Sequence, residues 1–141
     1  MDNSKLIESL NKMLSQEHAC AIRYATHAEV VTGPYAEEIA ERLNEIAGDE
    51  REHAAKLRKR ISGLGGVPTM NVSVEDLKPA KTLDEILKIN IAEEIGAIHS
   101  YTQILKTVPH ENAILYKALM DIIADEQEHL EELKNLEHKK Q

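Results

Sequence analysis

The sequence predicts an all-α protein, a four-helix bundle with one long crossover connection. Apolar residues recur at helical spacing through most of the chain, and an alternating strand-like pattern occurs only near residues 72–74. Clusters of Gly and Pro interrupt this pattern at residues 33–34, 63–68, 79 and 109. The interruptions leave four long segments, which we expect to be helices over residues 4–31, 35–62, 82–108 and 110–139.

Local signals support the ends of the two central helices. Thr82 is followed three residues later by Glu85, the spacing of a capping box that begins a helix. Gly63 is expected to close the second helix as a left-handed cap. It begins a Gly-Leu-Gly-Gly segment that lacks the Lys-Ser/Thr ending of a phosphate-binding loop.

The lengths of the connections predict the topology. The first and third connections are short, so each joins an antiparallel helical hairpin. The middle connection covers about residues 63–82. An extended chain of ~20 residues reaches ~65 Å, whereas a helix of ~28 residues is ~42 Å long. We therefore expect a crossover that runs back along the bundle, in preference to an ordinary up-down bundle with an irregular loop.

Composition limits the function classes. The chain has 141 residues, which we assign to a single domain over residues 1–141, and a net charge of -8. Such an acidic chain without Trp or Phe is not expected to bind nucleic acid or anionic membranes. There is no apolar run of ~20 residues and no signal-peptide pattern at the start, which predicts a cytoplasmic protein. The single cysteine excludes an internal disulfide.

Each predicted helix carries an apolar stripe that is interrupted at its middle by glutamate. On the second and fourth helices a histidine follows three residues later. Measured from the hairpin turns, the six side chains lie at matching depths in the bundle. The expected metal ligands are Glu17, Glu50, His53, Glu94, Glu126 and His129.

Four carboxylates at one level of an apolar core require positive charge, because each buried ion costs several kcal/mol to desolvate. Two divalent cations would neutralise them, and two imidazoles would complete a mixed oxygen and nitrogen ligand set. That set suits iron or manganese, and zinc can substitute. Glu93 is the alternative to Glu94, but it lies off the apolar stripe. The alternative to a metal site is that solvent-exposed glutamates fall on these helix positions by chance.

The two halves of the chain repeat this pattern. Asp-Glu-x-Glu-His occurs at residues 49–53 and again at 125–129. Glu17 and Glu94 are each followed seven residues later by a tyrosine, Tyr24 and Tyr101. A buried phenol needs a hydrogen-bond partner, and a ligand carboxylate on a neighbouring helix is available. The tyrosines either pack in this way or also donate electrons to the chemistry of the metal site.

On these motifs the sequence resembles the ferritin-like di-iron superfamily, and most closely bacterioferritins and their short relatives. The resemblance implies two iron ions per chain, with Glu50 and Glu126 as bridging ligands. It also implies that Asp49 and Asp125 hydrogen-bond the ligating imidazoles. Arg51 replaces the methionine that binds haem in bacterioferritins, so haem is not expected.

The resemblance implies a ferroxidase, which oxidises Fe(II) with O2 or H2O2 and contributes to iron storage or detoxification. Alternatives on the same ligands are a rubrerythrin-like peroxide reductase, a manganese catalase, a di-iron hydroxylase and a DNA-shielding mini-cage. Rubrerythrins carry a second glutamate three residues after the ligand of the third helix, where this chain has Ala97, and a four-cysteine domain. These two differences disfavour the rubrerythrin type. A purely structural bundle is the non-enzymatic alternative. We expect a homo-oligomer, either a dimer or a cage, although only 12 residues follow His129 and a full cage is not assured.

Four further residues lie beside the stripes. We expect His18, His27 and His99 to be flanking residues or subunit contacts, and Cys20 to be a small buried apolar residue.

Overall fold

The computed structural model describes residues 2–139 and contains four long α-helices. They are α1 (Ser4–Ala28), α2 (Ala36–Gly63), α3 (Leu83–Leu105) and α4 (Ala113–Lys139), with a single-turn 3-10 helix at Val74–Asp76. No strand occurs in residues 2–139, so the all-α prediction is confirmed. Within this range no helix is both long enough and apolar enough to cross a membrane.

The connection between α2 and α3 follows α1 from one end to the other. Asn11, near the start of α1, donates from its side chain to the carbonyl of Val67 at 3.1 Å. Arg23, near the end of α1, donates to the carbonyl of Asp76 at 2.9 Å. The connection therefore runs parallel to α1, and α3 starts beside the end of α1. This is the predicted crossover.

The helix pairs define the arrangement of the bundle. α1 packs against α2 and α3 against α4, while α2 also contacts α4 and α1 also contacts α3. Aliphatic side chains form two separate apolar clusters. One includes Leu14 and Leu119, and the other includes Leu43 and Leu87. The predicted ligands lie between the two clusters, at the middle of the bundle.

Three of the helices are shorter at one end than the sequence predicted, each by three residues. α1 ends at Ala28, α3 ends at Leu105, and α4 begins at Ala113. Proline disfavours helical geometry in the preceding residue, which is consistent with the break before Pro109. The side chain of Asn112 accepts a hydrogen bond from the backbone of Leu115 at 3.4 Å and so begins α4. The Thr82 cap is confirmed, because its hydroxyl accepts from Glu85 N at 3.2 Å.

The assignment of Gly63 as the left-handed cap of α2 is wrong. Gly63 is the last helical residue, and Gly65 adopts the left-handed conformation with φ of 89°. The backbone of Gly65 donates to Ser62 O at 3.0 Å and that of Gly66 donates to Ile61 O at 2.9 Å. These two bonds form a Schellman motif, whose left-handed residue lies two positions later than we predicted.

We expect Gly65→Ala to lower the free energy of unfolding by ~1–2 kcal/mol, because a side chain disfavours positive φ. Gly63→Ala is the matched control: a Cβ there meets nothing within 4 Å. Alanine in a helical position should stabilise by up to ~1 kcal/mol. Urea denaturation of both variants measures the difference, and a larger loss for Gly63→Ala would contradict the assignment.

Candidate metal centre

The structure brings six side chains from all four helices together between the two apolar clusters. Each of these residues is at most 2% exposed. Ligand atoms of one group lie within 4.8 Å of one another, and the same holds for a second group that shares Glu126 with the first. The first group contains Glu17, Glu50, His53 and Glu126, and the second contains Glu94, Glu126 and His129. We call these six residues the carboxylate cluster.

The His53 imidazole directs its Nδ1 atom toward three carboxylates. Nδ1 lies 3.1 Å from Glu50 Oε1, 3.3 Å from Glu17 Oε2 and 3.5 Å from Glu126 Oε1. It makes no hydrogen bond with any of them. Oxygen atoms from three helices therefore converge on a single ring nitrogen.

His129 has the equivalent arrangement on the other side. Its Nδ1 atom lies 3.2 Å from Glu126 Oε1, 3.4 Å from Glu94 Oε2 and 3.7 Å from Glu50 Oε1. The two imidazole centroids are 6.3 Å apart. Glu50 and Glu126 thus lie near both rings, whereas Glu17 lies near His53 and Glu94 near His129.

Two aspartates hold the imidazoles across the α2–α4 interface. His53 Nε2 donates to Asp125 Oδ2 at 2.8 Å, and His129 Nε2 donates to Asp49 Oδ2 at 2.9 Å. Each aspartate therefore contacts the histidine of the opposite helix. Because the proton of a neutral imidazole stays on Nε2, where it is hydrogen-bonded to the aspartate, the Nδ1 lone pair faces the cluster.

The two tyrosines perform a similar role across the α1–α3 interface. The Tyr24 hydroxyl donates to Glu94 Oε2 at 2.7 Å, and the Tyr101 hydroxyl donates to Glu17 Oε2 at 2.6 Å. Both phenols are fully buried. Burial, with the nearby carboxylates, raises the pKa of each phenol well above its usual value. Each tyrosine therefore stays protonated and keeps one oxygen of a glutamate in place.

Several polar atoms of the cluster lack hydrogen-bond partners in the protein. Six of these atoms are buried without a hydrogen bond, namely Glu17 Oε1, both carboxylate oxygens of Glu50, His53 Nδ1, Glu126 Oε1 and His129 Nδ1. Buried polar atoms nearly always have partners, and unpaired carboxylates are especially unfavourable. The atoms without partners all belong to residue types that bind divalent metals.

Without a cation, protons must stabilise the cluster. Burial and the neighbouring Glu17 carboxylate raise the pKa of Glu50 to about 8. Burial alone would lower the pKa of His53, but Glu17 and Glu50 outweigh it and raise that pKa to about 11. Burial likewise opposes protonation of His129, and Glu94 nevertheless raises its pKa to about 9.

The structure separates the two adjacent glutamates of α3. Glu94 is 2% exposed and belongs to the carboxylate cluster. The carboxylate of Glu93 instead lies 2.7 Å from Lys78 Nζ, at the crossover connection. The geometry therefore favours Glu94 over Glu93 as the helix residue that faces the cluster.

The sequence did not predict a buried polar network beside the cluster. The Arg23 guanidinium, 3% exposed, lies over the Tyr24 ring and donates to Asn90 Oδ1 at 2.9 Å. Asn90 in turn lies 3.0 Å from His27 Nδ1, and His27 Nε2 lies 2.7 Å from the carbonyl of Lys78. The network fixes the crossover to α1 and α3. The sequence offered two signals, the spacing of Arg23 and His27 one helical turn apart and the position of Asn90 one turn before Glu94.

Two sequence assignments need correction. His27 is 1% exposed, so it is a core residue and no surface contact. Cys20 is half-buried, and its sulfur accepts a hydrogen bond from Arg23 at 3.4 Å. It lines a cavity instead of packing in an apolar cluster. His18 contacts the crossover through Asn71 O, as a flanking residue would, and His99 is exposed.

A family model described as a ferritin-like domain matches residues 7–140. The chain belongs to the ferritin-like family. The resemblance found in the sequence is therefore confirmed, and so is the ferritin-like four-helix fold.

Individual relatives of this ferritin-like protein are bacterioferritins. The Desulfovibrio desulfuricans bacterioferritin is 31% identical over 135 residues, which cover 94% of this chain and 74% of that protein. The Brucella melitensis bacterioferritin is 28% identical over 90% of this chain and 79% of its own length. These matches support an iron-storage di-iron protein in general.

Solved structures show the same fold. A ferritin-like diiron-carboxylate protein from Bacillus anthracis superposes with a TM-score of 0.89 at 32% identity, covering 96% of this chain and 99% of that one. The dodecameric thioferritin of Bacteroides fragilis, a bacterioferritin-related protein, gives 0.88 at 28% identity, covering 96% and 85%.

The raised pKa values predict how pH affects the metal-free protein. The folded state holds protons on Glu50 and on both histidines more tightly than the unfolded chain does. These bound protons stabilise the folded state fully below the pKa values of the unfolded chain, which are 4.5 for glutamate and 6.5 for histidine. The stabilisation is lost as pH rises through the folded-state pKa values, about 8 for Glu50, about 9 for His129 and about 11 for His53. We expect the free energy of unfolding to fall between pH 6 and pH 9.

Urea denaturation in the presence of a chelator measures this trend, and saturating Co(II) should give a larger gain at the higher pH. Glu50→Gln removes one titrating group and should flatten the metal-free curve. Constant or rising stability of the metal-free protein over this range would contradict the prediction.

Proposed function

We propose that this protein is a ferroxidase that binds two Fe(II) ions in the carboxylate cluster and transfers their electrons to O2 or H2O2. The observation that carries the proposal is the set of buried carboxylate and imidazole atoms without partners in the protein. Membership of the ferritin-like family supports iron as the metal. Manganese remains the alternative metal, since it suits the same ligand types.

The charge and donor chemistry of the cluster fit two divalent cations. Four carboxylates carry four negative charges. Each imidazole is neutral when its single proton lies on Nε2, hydrogen-bonded to the aspartate. Glu17 and His53 would hold one ion, and Glu94 and His129 the other. Glu50 and Glu126 would bridge them, which is supported by their position near both imidazoles.

Bound Fe(II) would supply electrons to the oxidant, while the protein holds the ligands in place and excludes water. The near-equal ligand sets of the two halves suit two ions that react alike. The aspartates Asp49 and Asp125 keep the imidazole lone pairs directed at the cluster. Tyr24 and Tyr101 each hold a proton next to a ligand carboxylate, where the phenol would also serve as an electron donor.

We propose that the protein acts as a homo-oligomer that stores or detoxifies iron. The likeness to a dodecameric thioferritin supports a closed assembly. Light scattering after size-exclusion chromatography measures the subunit number, and a monomer at micromolar concentration would contradict this part of the proposal. Haem is not part of it, because Arg51 occupies the position of the expected methionine ligand.

The decisive experiment is an anaerobic Fe(II) titration of the metal-free protein, followed by an oxygen pulse. We expect two Fe(II) per chain and rapid formation of an oxo-ferric absorbance band in the near ultraviolet. Glu50→Ala and Glu126→Ala should each lose stoichiometric binding, because each removes a ligand shared by both sites. Glu52→Ala, an exposed glutamate on the same helix, is the matched control and should bind normally.

The outcomes separate the candidate functions. Catalytic consumption of H2O2 with an added electron donor, beyond the two electrons that the bound Fe(II) ions supply, would favour the peroxide reductase. Binding of Mn(II) in preference to Fe(II) would favour the catalase. Absence of stoichiometric binding in the unmodified protein would refute the metal centre.

The aspartates give a separate prediction. Asp125→Ala removes the acceptor for His53 Nε2, so the imidazole loses its fixed orientation. We expect metal affinity to fall by about 10- to 100-fold. Asp121→Ala, one turn earlier on α4, removes only an exposed pair with Lys117 and should bind as the parent does. Competition with a chromophoric chelator measures both affinities, and equal values would contradict the role of Asp125.

A further inference from the structure

Two cavities reach the carboxylate cluster from different sides of α1. A cavity of about 150 Å³ lies between α1 and α3, and its wall includes Glu17, Tyr101 and Glu126. A cavity of about 440 Å³ lies between α1, α2 and the crossover, and its wall includes Glu17. Each is a candidate route by which a metal ion reaches the buried ligands.

Apart from Glu17, which both cavities share, the charged side chains that line the two cavities have opposite sign. The α1–α3 cavity is lined by Asp76 and Glu93 in addition to the cluster glutamates. Among the described residues no Lys or Arg lines it, although the Arg23 guanidinium contacts Cys20 Sγ and the Asp76 carbonyl at its edge. The α1–α2 cavity is lined by Arg51 and Arg58. A divalent cation is attracted by the first set of charges and repelled by the second. The smaller cavity is therefore the electrostatically favourable route.

The α1–α3 cavity also extends from the protein surface to unpartnered ligand atoms. Gly96 at its wall is exposed, whereas Glu17 and Glu126 are 2% and 1% exposed. Glu17 Oε1 and Glu126 Oε1 have no hydrogen-bond partner. A cation that passes Gly96 would meet carboxylates of increasing burial.

Lys78 lies at the outer end of this route. Its ammonium is 2.7 Å from Glu93 Oε1, although the angle does not meet that of a hydrogen bond. The Lys78 side chain is 48% exposed and that of Glu93 is 18% exposed. The lysine can thus move into solvent, which would leave the buried Glu93 Oε1 available to an incoming cation. Its ammonium also occupies a position where a metal cation would be attracted.

We propose that the α1–α3 cavity is the uptake route for Fe(II), that Glu93 is its outer cation-binding residue, and that Lys78 competes with the metal for Glu93. This inference rests on the proposed function, because the route leads to the proposed metal centre. Glu93 would thus bind the metal transiently during uptake, and it is not a ligand of the final site. Glu93 therefore affects the rate at which the metal reaches the cluster, and it does not change the number of ions bound at equilibrium.

Stopped-flow absorbance of Co(II) binding to the metal-free protein tests the route without any redox turnover. We expect Glu93→Gln to slow uptake by about tenfold, a typical effect of charge on an approach route. Lys78→Met should accelerate uptake, and the double variant should lose that acceleration. Added salt should slow uptake by the parent more than by Glu93→Gln.

A steric variant tests the same cavity independently of charge. A Cβ at Gly96 meets nothing within 4 Å, so the space beside it is open and a longer side chain would extend into that space. Gly96→Leu should narrow the cavity and slow Co(II) uptake, whereas Gly96→Ala is the matched control and should retain the parent rate. Urea denaturation of both variants establishes that they are folded.

Arg51→Gln distinguishes the two routes. If metal entered through the α1–α2 cavity, loss of this cation would accelerate uptake, and the proposal would be overturned. Unchanged rates in Glu93→Gln and Gly96→Leu would also overturn it. In every variant the equilibrium number of Co(II) ions is measured separately: absence of binding by the parent refutes the proposed centre, whereas normal stoichiometry with unchanged rates refutes only the route.

Discussion

Four carboxylates are buried together among aliphatic side chains, and their charge must be compensated for the bundle to be stable. At the middle of the bundle, Glu17, Glu50, Glu94 and Glu126 are at most 2% exposed. Mutual repulsion and desolvation make such a cluster unfavourable unless protons or metal cations compensate it. The same constraint divides the apolar core into two clusters, one on each side of the carboxylates. Folding and metal binding are therefore linked through this layer.

Hydrogen bonds around the cluster also connect the helix pairs. The histidine–aspartate bonds join α2 to α4, and the tyrosine–glutamate bonds join α1 to α3. Each type occurs twice, and every bond joins a residue of one half of the sequence repeat to a residue of the other half. The polar contacts that orient the ligands thus also fix the register between the two hairpins. This dual role explains why the ligands, tyrosines and aspartates appear as one repeated pattern.

The crossover breaks this internal symmetry. It packs along α1, where the buried Arg23 donates to Asp76 O, and within residues 2–139 no equivalent segment packs along α3. Through Asp76 and Lys78 it contributes charge beside the α1–α3 cavity, while the other cavity carries arginine side chains. A connection that joins two hairpins therefore also makes the two sides of the cluster electrostatically different.

The four helices, the crossover and the residues that meet at the centre were predictable from the sequence, because helical spacing places those residues on apolar stripes at matching depths. The packing of the helices set the partner of each polar side chain: Asp49 contacts the histidine of the opposite helix, and Glu93 pairs with Lys78. It also placed the left-handed cap at Gly65 and buried His27. Pairing, local turn geometry and burial depend on packing between segments distant in sequence, which periodicity within one segment does not encode.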